Sequence, residues 1–286
     1  MLTYTVIGEG GGIGKTTNAG NCAVAHHRRG RKVLAIDLAE QTGSLTNLLN
    51  AEEPGPDEDN LVRHMIGREL RDFEDIVTTS SEGIDVIPSH QSLEKLPEHL
   101  RRAGEMAKEF GDDWNPHTRL FEVLKQGGVR DKYDVVLVDV PGNGEKYHTN
   151  ALYATRNVLV PVELSSKGQS AINDLRETTT AMQQKLDIDI GVLAMVPFEY
   201  KGTNAQKKKL EELRESEFDV PVVFRERTSL ASRFWEANRS VYGYLADGGR
   251  LQSHETDYPL KVDRLVAHIE EQSDLPPADQ PAWEED

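Results

Sequence analysis

The 286-residue chain holds a single cysteine, Cys22. One thiol closes no internal disulfide and builds no cysteine-based metal site. Cys22 falls inside a predicted helix and reads as core packing rather than chemistry. Long apolar runs are also missing, since no window approaches the roughly 18 apolar residues that span a bilayer. The amino end enters a predicted strand almost at once, without a charged leader or a signal-length apolar stretch, so a cytoplasmic location is expected. No internal repeat is present. Basic charge is scarce: 33 Lys and Arg stand against 49 Asp and Glu, for a formal charge of −16. That balance disfavours anionic partners at low salt and keeps the chain soluble. We read it as the balance of a halophilic cytoplasm rather than of a merely acidic mesophilic protein.

What the chain does contain is a regular alternation. Short apolar runs at residues 3–7, 32–36, 84–87, 134–138, 157–162, 190–196 and 220–224 read as strands. Several are apolar on both faces, as in Val135-Val136-Leu137-Val138. Strands buried on both sides belong to parallel sheets covered by helices. Helical spacing recurs between them at 15–29, 93–110, 116–126, 168–186, 205–217 and 260–272, and Gly30 stands where a left-handed cap should end the first helix. The pattern predicts an α/β fold with a doubly wound, mostly parallel sheet and helices on both faces. One domain is expected over residues 1–272, followed from Ser273 to Asp286 by a Pro-rich, acidic and disordered tail. Ligands of such sheets bind beyond the carboxyl ends of the strands, so chemistry-bearing residues should follow the strand runs.

They do. The first strand runs into Gly8-Glu9-Gly10-Gly11-Gly12-Ile13-Gly14-Lys15-Thr16-Thr17, and a helix follows. Glycines let backbone N–H groups turn toward phosphate oxygens at close range. The amino end of the helix adds further donors and a favourable dipole. Lys15 is placed to reach the β- and γ-phosphates of a nucleoside triphosphate, and the Thr16 hydroxyl to ligate magnesium. The cofactors implied are ATP and Mg2+, on a loop running from Gly10, Gly11, Gly12 and Ile13 through Gly14, Lys15, Thr16 and Thr17.

The spacing is unusual. In G-x-x-x-x-G-K-[ST] the first glycine would fall at position 9, which is Glu9 here. The pair Gly11-Gly12 instead resembles the ParA/MinD family, whose deviant loop reads K-G-G-x-G-K-[ST]. Val33-Leu34-Ala35-Ile36-Asp37-Leu38, with Gln41 beyond it, is similar to the family's second strand and its D-x-D-P-Q motif. The run from Tyr133 to Pro141 is similar to its Walker B strand, and Asn150-Ala151-Leu152 and residues 158–162 follow in family order. Residues 84–89 match a further strand, so the resemblance covers about residues 1–244. It implies magnesium binding by Asp139, with Asp37 as a second carboxylate in the same cleft. The segment Pro141-Gly142-Asn143-Gly144 would sense the γ-phosphate.

Two positions depart from the family. Its signature lysine, which by resemblance crosses the dimer interface to the partner's nucleotide, is Gly10 here. The second Asp of D-x-D-P-Q, which by resemblance orients the attacking water, is Ala39, with Glu40 one residue along as a possible substitute. Lys146 is a candidate replacement cation. Loss of both groups is expected to slow hydrolysis more than it weakens nucleotide binding. The resemblance further implies an ATP-dependent homodimer, nonspecific DNA and a small DNA-binding protein as partners. The DNA candidates are Arg225, Arg227, Arg233, Arg239 and Arg250, with Lys207-Lys208-Lys209 as a second cluster. A membrane partner is not expected, because the last predicted helix ends in Glu270-Glu271 instead of a basic face. A single cysteine also sets aside the cluster-bearing iron-protein relatives. Two readings stay open: a partitioning ATPase that moves plasmid or chromosome cargo, and a nucleotide switch that regulates or positions a protein partner without turnover.

Overall fold

Seven strands form one sheet: β1 (Leu2–Val6), β2 (Val33–Asp37), β3 (Thr78–Thr79), β4 (Asp85–Ile87), β5 (Val135–Asp139), β6 (Asn157–Glu163) and β7 (Gly191–Phe198). Their order is β3-β4-β2-β5-β1-β6-β7, and every pairing is parallel except that of the two-residue β3 with β4. The structure is a computed structural model and describes residues 1–8, 14–39, 44–142, 144–164 and 168–276, without the side chains of 168–172, 174, 175, 178 and 228.

The alternation of side chains along each strand sorts the core into two layers. Tyr4 and Val6 of β1, Val33 and Ala35 of β2, and Val135 and Leu137 of β5 face one layer. Against them pack α1 (Lys15–Arg28), α2 (Leu45–Leu48), α10 (Thr228–Ala237), α11 (Val241–Ala246) and α12 (Tyr258–Glu271). Leu34, Ile36, Val136 and Val138 face the other layer. There they meet α3 (Leu61–Met65), α4 (Leu96–Phe110), α5 (Arg119–Gln126), α6 (Val129–Lys132), α7 (Glu145–Thr155), α8 (Gly168–Leu186) and α9 (Asn204–Arg214). Both faces are covered, as the doubly apolar strands require.

Helix α1 is buried around most of its circumference, with Cys22 wholly inside and its thiol pushed up to about 12, chiefly by burial. The expected left-handed turn ends it, with Gly30 at φ 81°. Residues 220–224 are a correction. They lie beside β7, where Phe224 N donates to Pro197 O and Tyr200 N to Phe224 O, but form no strand. Pro221 has no N–H to give, so the ladder cannot run through. Leu275 packs on the α1-side core and Arg31 donates to Pro276 O, while residues 277–286 lie outside the described residues. Among the described residues no helix is long and apolar enough to cross a membrane.

Candidate functional site

Strand parity places the chemistry. Asp37 and Asp139 end adjacent parallel strands as direct partners in the register. Each is an even number of residues from side chains facing the α1 layer, so both carboxylates look toward the start of α1. Gly14 begins that helix at φ 80°, a left-handed conformation that side-chain-bearing residues rarely adopt. A Cβ there would also stand 3.0 Å from Phe198 Cδ1, so the end of β7 presses against the phosphate-loop side of the site. Lys15, Thr16 and Thr17 follow at the amino end of α1 and line the adjoining cavity, where the helix dipole favours an anion.

The two carboxylates have different surroundings. Asp37 Oδ1 accepts from Ala39 N at 3.0 Å, and Oδ2 from Thr46 N at 2.8 Å and Thr46 Oγ1 at 2.6 Å. Burial raises its pKa, and the donors of Thr46, Ser44 and Ala39 oppose the rise. Both oxygens are thus spent on the turn after β2 and the start of α2. In this arrangement Asp37 has a structural part, fixing that turn, beside whatever it contributes to the cleft. Asp139 is fully buried, and neither oxygen has a hydrogen-bond partner among the described residues. Burial first, and the Asp37 charge second, push its pKa up to about 7, against the pull of Thr16 and Lys15. Lys15 is itself only 8% exposed, its pKa lowered by burial and partly restored by Asp139.

A carboxylate buried beside a lysine and a threonine hydroxyl, and still raised in pKa, is costly alone and suited to a hard divalent cation, which takes oxygen ligands. The donor set therefore fits magnesium, with Thr16 and Asp139 as the groups that would hold it. The adjoining cavity, of about 430 Å3, runs from Gly14, Lys15, Thr16 and Thr17 past Ala39 and Pro141-Gly142 to Phe198, Phe224 and Trp235. Its size and its paired phosphate and aromatic ends fit a nucleotide. Gly10, Gly11, Gly12, Ile13, Glu40, Gln41 and Asn143 lie outside the described residues.

The arginines proposed for DNA are divided. Arg225 and Arg227 line the same cavity as Lys15, which the sequence did not suggest. Arg227 is only 6% exposed at its side chain and pairs with Asp257 at 2.5 Å. Arg233 grips both oxygens of the fully buried Glu255, and Arg239 binds Asp247 at 2.7 Å and Ser81 Oγ at 2.8 Å. Three of the five are thus structural ion-pair partners, which corrects the reading of the cluster as a free basic surface. Arg225 and Arg250 are exposed, as are Lys207 and Lys208 on α9. Lys146 stands 3.3 Å from His117 Nε2, outside the lining of this chain's own cavity. Reasoning from sequence missed the aromatic wall of Phe198, Phe224, Trp235 and Tyr258, whose members are scattered over sixty residues.

Comparison with known proteins bears on the same geometry. Residues 2–192 match the family described as AAA domain. The chain is 27% identical over 201 residues to the chromosome-partitioning ATPase Soj of Thermus thermophilus, covering 70% of each. It is 25% identical over 228 residues to maintenance of carboxysome distribution protein A of Synechococcus elongatus, covering 78% of this chain and 84% of that one. The septum site-determining protein MinD of Pyrococcus horikoshii, complexed with Mg-ADP, shares the fold with a TM-score of 0.70 at 17% identity, covering 95% of this chain and 96% of that one. With the glycine-rich entry to α1, the strand-end Asp139 and this match over two thirds of its length, the chain belongs to the AAA domain family, among its ParA/MinD-type P-loop proteins.

Proposed function

We propose that the chain binds ATP with magnesium at the β1–α1 junction and acts as a ParA-like ATP-dependent dimer switch that positions cargo. The observation that carries this reading is Asp139, an orphaned buried carboxylate set beside Lys15 and Thr16 at the mouth of a nucleotide-sized cavity. The amino end of α1 holds the phosphates through its N–H groups, and Lys15 supplies a cation shielded from water. Thr16 and Asp139 hold the metal, and Asp37 keeps the loop start in place. Magnesium, when bound, neutralises phosphate charge and polarises the terminal phosphoryl group.

Turnover is slow in this reading. Ala39 presents a methyl group to the cavity where the family resemblance calls for a carboxylate, and a methyl neither orients a water nor takes its proton. The relative named as a chromosome-partitioning ATPase supports a cargo of plasmid or chromosome type. A small DNA-binding protein would serve as activator, and DNA contact would fall to Arg225, Arg250, Lys207 and Lys208. One nucleotide-binding domain spans residues 1–272. The Ala39 methyl equally favours a second reading, a switch that holds ATP without cleaving it and regulates a protein partner.

Titration with MgATP, sedimentation with and without it, and turnover measurement test the proposal together. The wild type is expected to bind MgATP and dimerise, Lys15→Ala to lose binding, and Ala39→Asp to gain turnover by about tenfold or more. A wild type that stays monomeric with saturating MgATP would sink both dimer readings. Turnover at ordinary family rates, with no gain in Ala39→Asp, would sink the slow-hydrolysis claim.

A further inference from the structure

The nucleotide cavity has one wall made by Pro141 and Gly142, directly after the strand that carries Asp139. Neither residue rigidifies that wall through side-chain hydrogen bonds: proline has no N–H to donate and glycine no side chain. The wall is tied from outside instead. His148, in the second turn of α7, lies with Nε2 2.9 Å from Pro141 O. A carbonyl only accepts, so Nε2 carries the proton and donates it. Burial, with the Lys15 ammonium nearby, holds the imidazole below its usual pKa, which keeps it neutral near pH 7.

The other end of this tie is anchored. The Tyr147 hydroxyl donates to Leu93 O at 2.6 Å, and Thr149 Oγ1 meets His117 Nδ1 at 2.9 Å. Asn150 accepts from Leu120 N at 3.1 Å and donates to Pro116 O at 2.8 Å. The start of α7 is therefore joined to the turn before α4 and to the start of α5. His148 is the link that leads from this frame to the cavity.

We propose that His148 is a positioning residue that sets the Pro141–Gly142 wall against the ligand's terminal phosphate and passes its presence to α7. The inference rests on the nucleotide reading above. It separates two parts of binding: the amino end of α1 holds any phosphate, whereas the wall held by His148 distinguishes triphosphate from diphosphate.

The test is equilibrium titration of the full chain with MgATP and MgADP for the wild type, His148→Ala and His148→Gln, with hydrogen exchange measured in both nucleotides. His148→Ala should keep MgADP affinity within about twofold but lose about tenfold in the ATP-over-ADP ratio, the effect of one buried hydrogen bond. Its exchange difference between the two nucleotides at residues 93–96 and 116–120 should vanish. His148→Gln, whose amide can donate to the same carbonyl, should recover most of the ratio. If His148→Ala does not fold, His148→Leu fills the space without a donor and replaces it in the comparison. An unchanged ratio in the Ala or Leu variant, a Gln variant no better than Ala, or a wild type that binds both nucleotides equally overturns the role of His148. A wild type that binds no MgATP overturns the nucleotide reading itself.

Discussion

A carboxylate that is fully buried and faces a second carboxylate on the next strand destabilises its own charged form, and Asp139 is such a group, with Thr16 and Lys15 offsetting only part of the cost. Its folded pKa of about 7 lies above the ordinary 3.8. The stability it contributes is therefore fully present below about pH 4 and is lost as pH rises through about 7. Asp139→Asn removes the charge, so the nucleotide-free variant should be more stable than the wild type at pH 7.5, by on the order of a few kcal/mol at most, and should melt higher. Its melting temperature should also fall less between about pH 4 and 7, while its magnesium-dependent ATP binding is lost. A lower melting point at pH 7.5 would show that the site tolerates the bare charge and that its burial carries no cost. Asp37, one strand away, was legible as a strand-end carboxylate, but its role was not. Only the fold shows Thr46, nine residues on, returning to occupy it.

Among the elements, α1 and α12 depend on each other through a buried polar cluster. Glu270 accepts from His26 Nδ1 at 2.8 Å and from Arg31 at 3.0 Å, with Arg29 Nε at 3.3 Å. His26 Nε2 in turn takes the Tyr4 hydroxyl at 3.2 Å. Burial opposes the charge on Glu270, but the hydrogen bonds from His26 and Arg31 win and hold its pKa down to about 2. A depressed carboxylate contributes stability above its unfolded pKa and loses it as pH falls through the folded one, here from about 4.5 to about 2. Glu270→Ala leaves the buried Arg31 charge without its carboxylate and should cost about 3–5 kcal/mol, read by denaturant unfolding at pH 7. A loss below about 1 kcal/mol would mean that apolar packing alone holds α12. The sequence showed Glu270 only as part of an acidic helix end, since nothing local reveals the partners His26 and Arg31 at separations of 244 and 239 residues. Helix α7 was missed for a related reason: its tyrosine, histidine, threonine and asparagine are poor helix formers. They are held in the helix by contacts to residues 93, 116, 117, 120 and 141.

At the scale of the whole molecule, a charge of −16 repels itself in the compact state. Raising potassium chloride from about 0.1 M to about 2 M shortens the screening length from about 10 Å to below about 3 Å, so the melting temperature should rise with salt. An equal rise in sucrose at matched osmolality, or no rise in the salt, would argue against self-repulsion as the cause. Much of the architecture was present in the sequence because it rests on short-range rules. Short apolar runs marked six of the seven strands, helical spacing marked α1, α4, α5, α8, α9 and α12, and glycines before Lys15 marked the phosphate end of α1. These depend on neighbours a few residues away, which a linear reading sees. The tertiary structure decided the rest. It left Asp139 bare while satisfying Asp37, turned Arg225 and Arg227 into walls of the nucleotide cavity, and tied Pro141 to α7 through His148. In each case the deciding partner is distant along the chain or lies on another strand, so the side chain's role depends on what folding brings beside it.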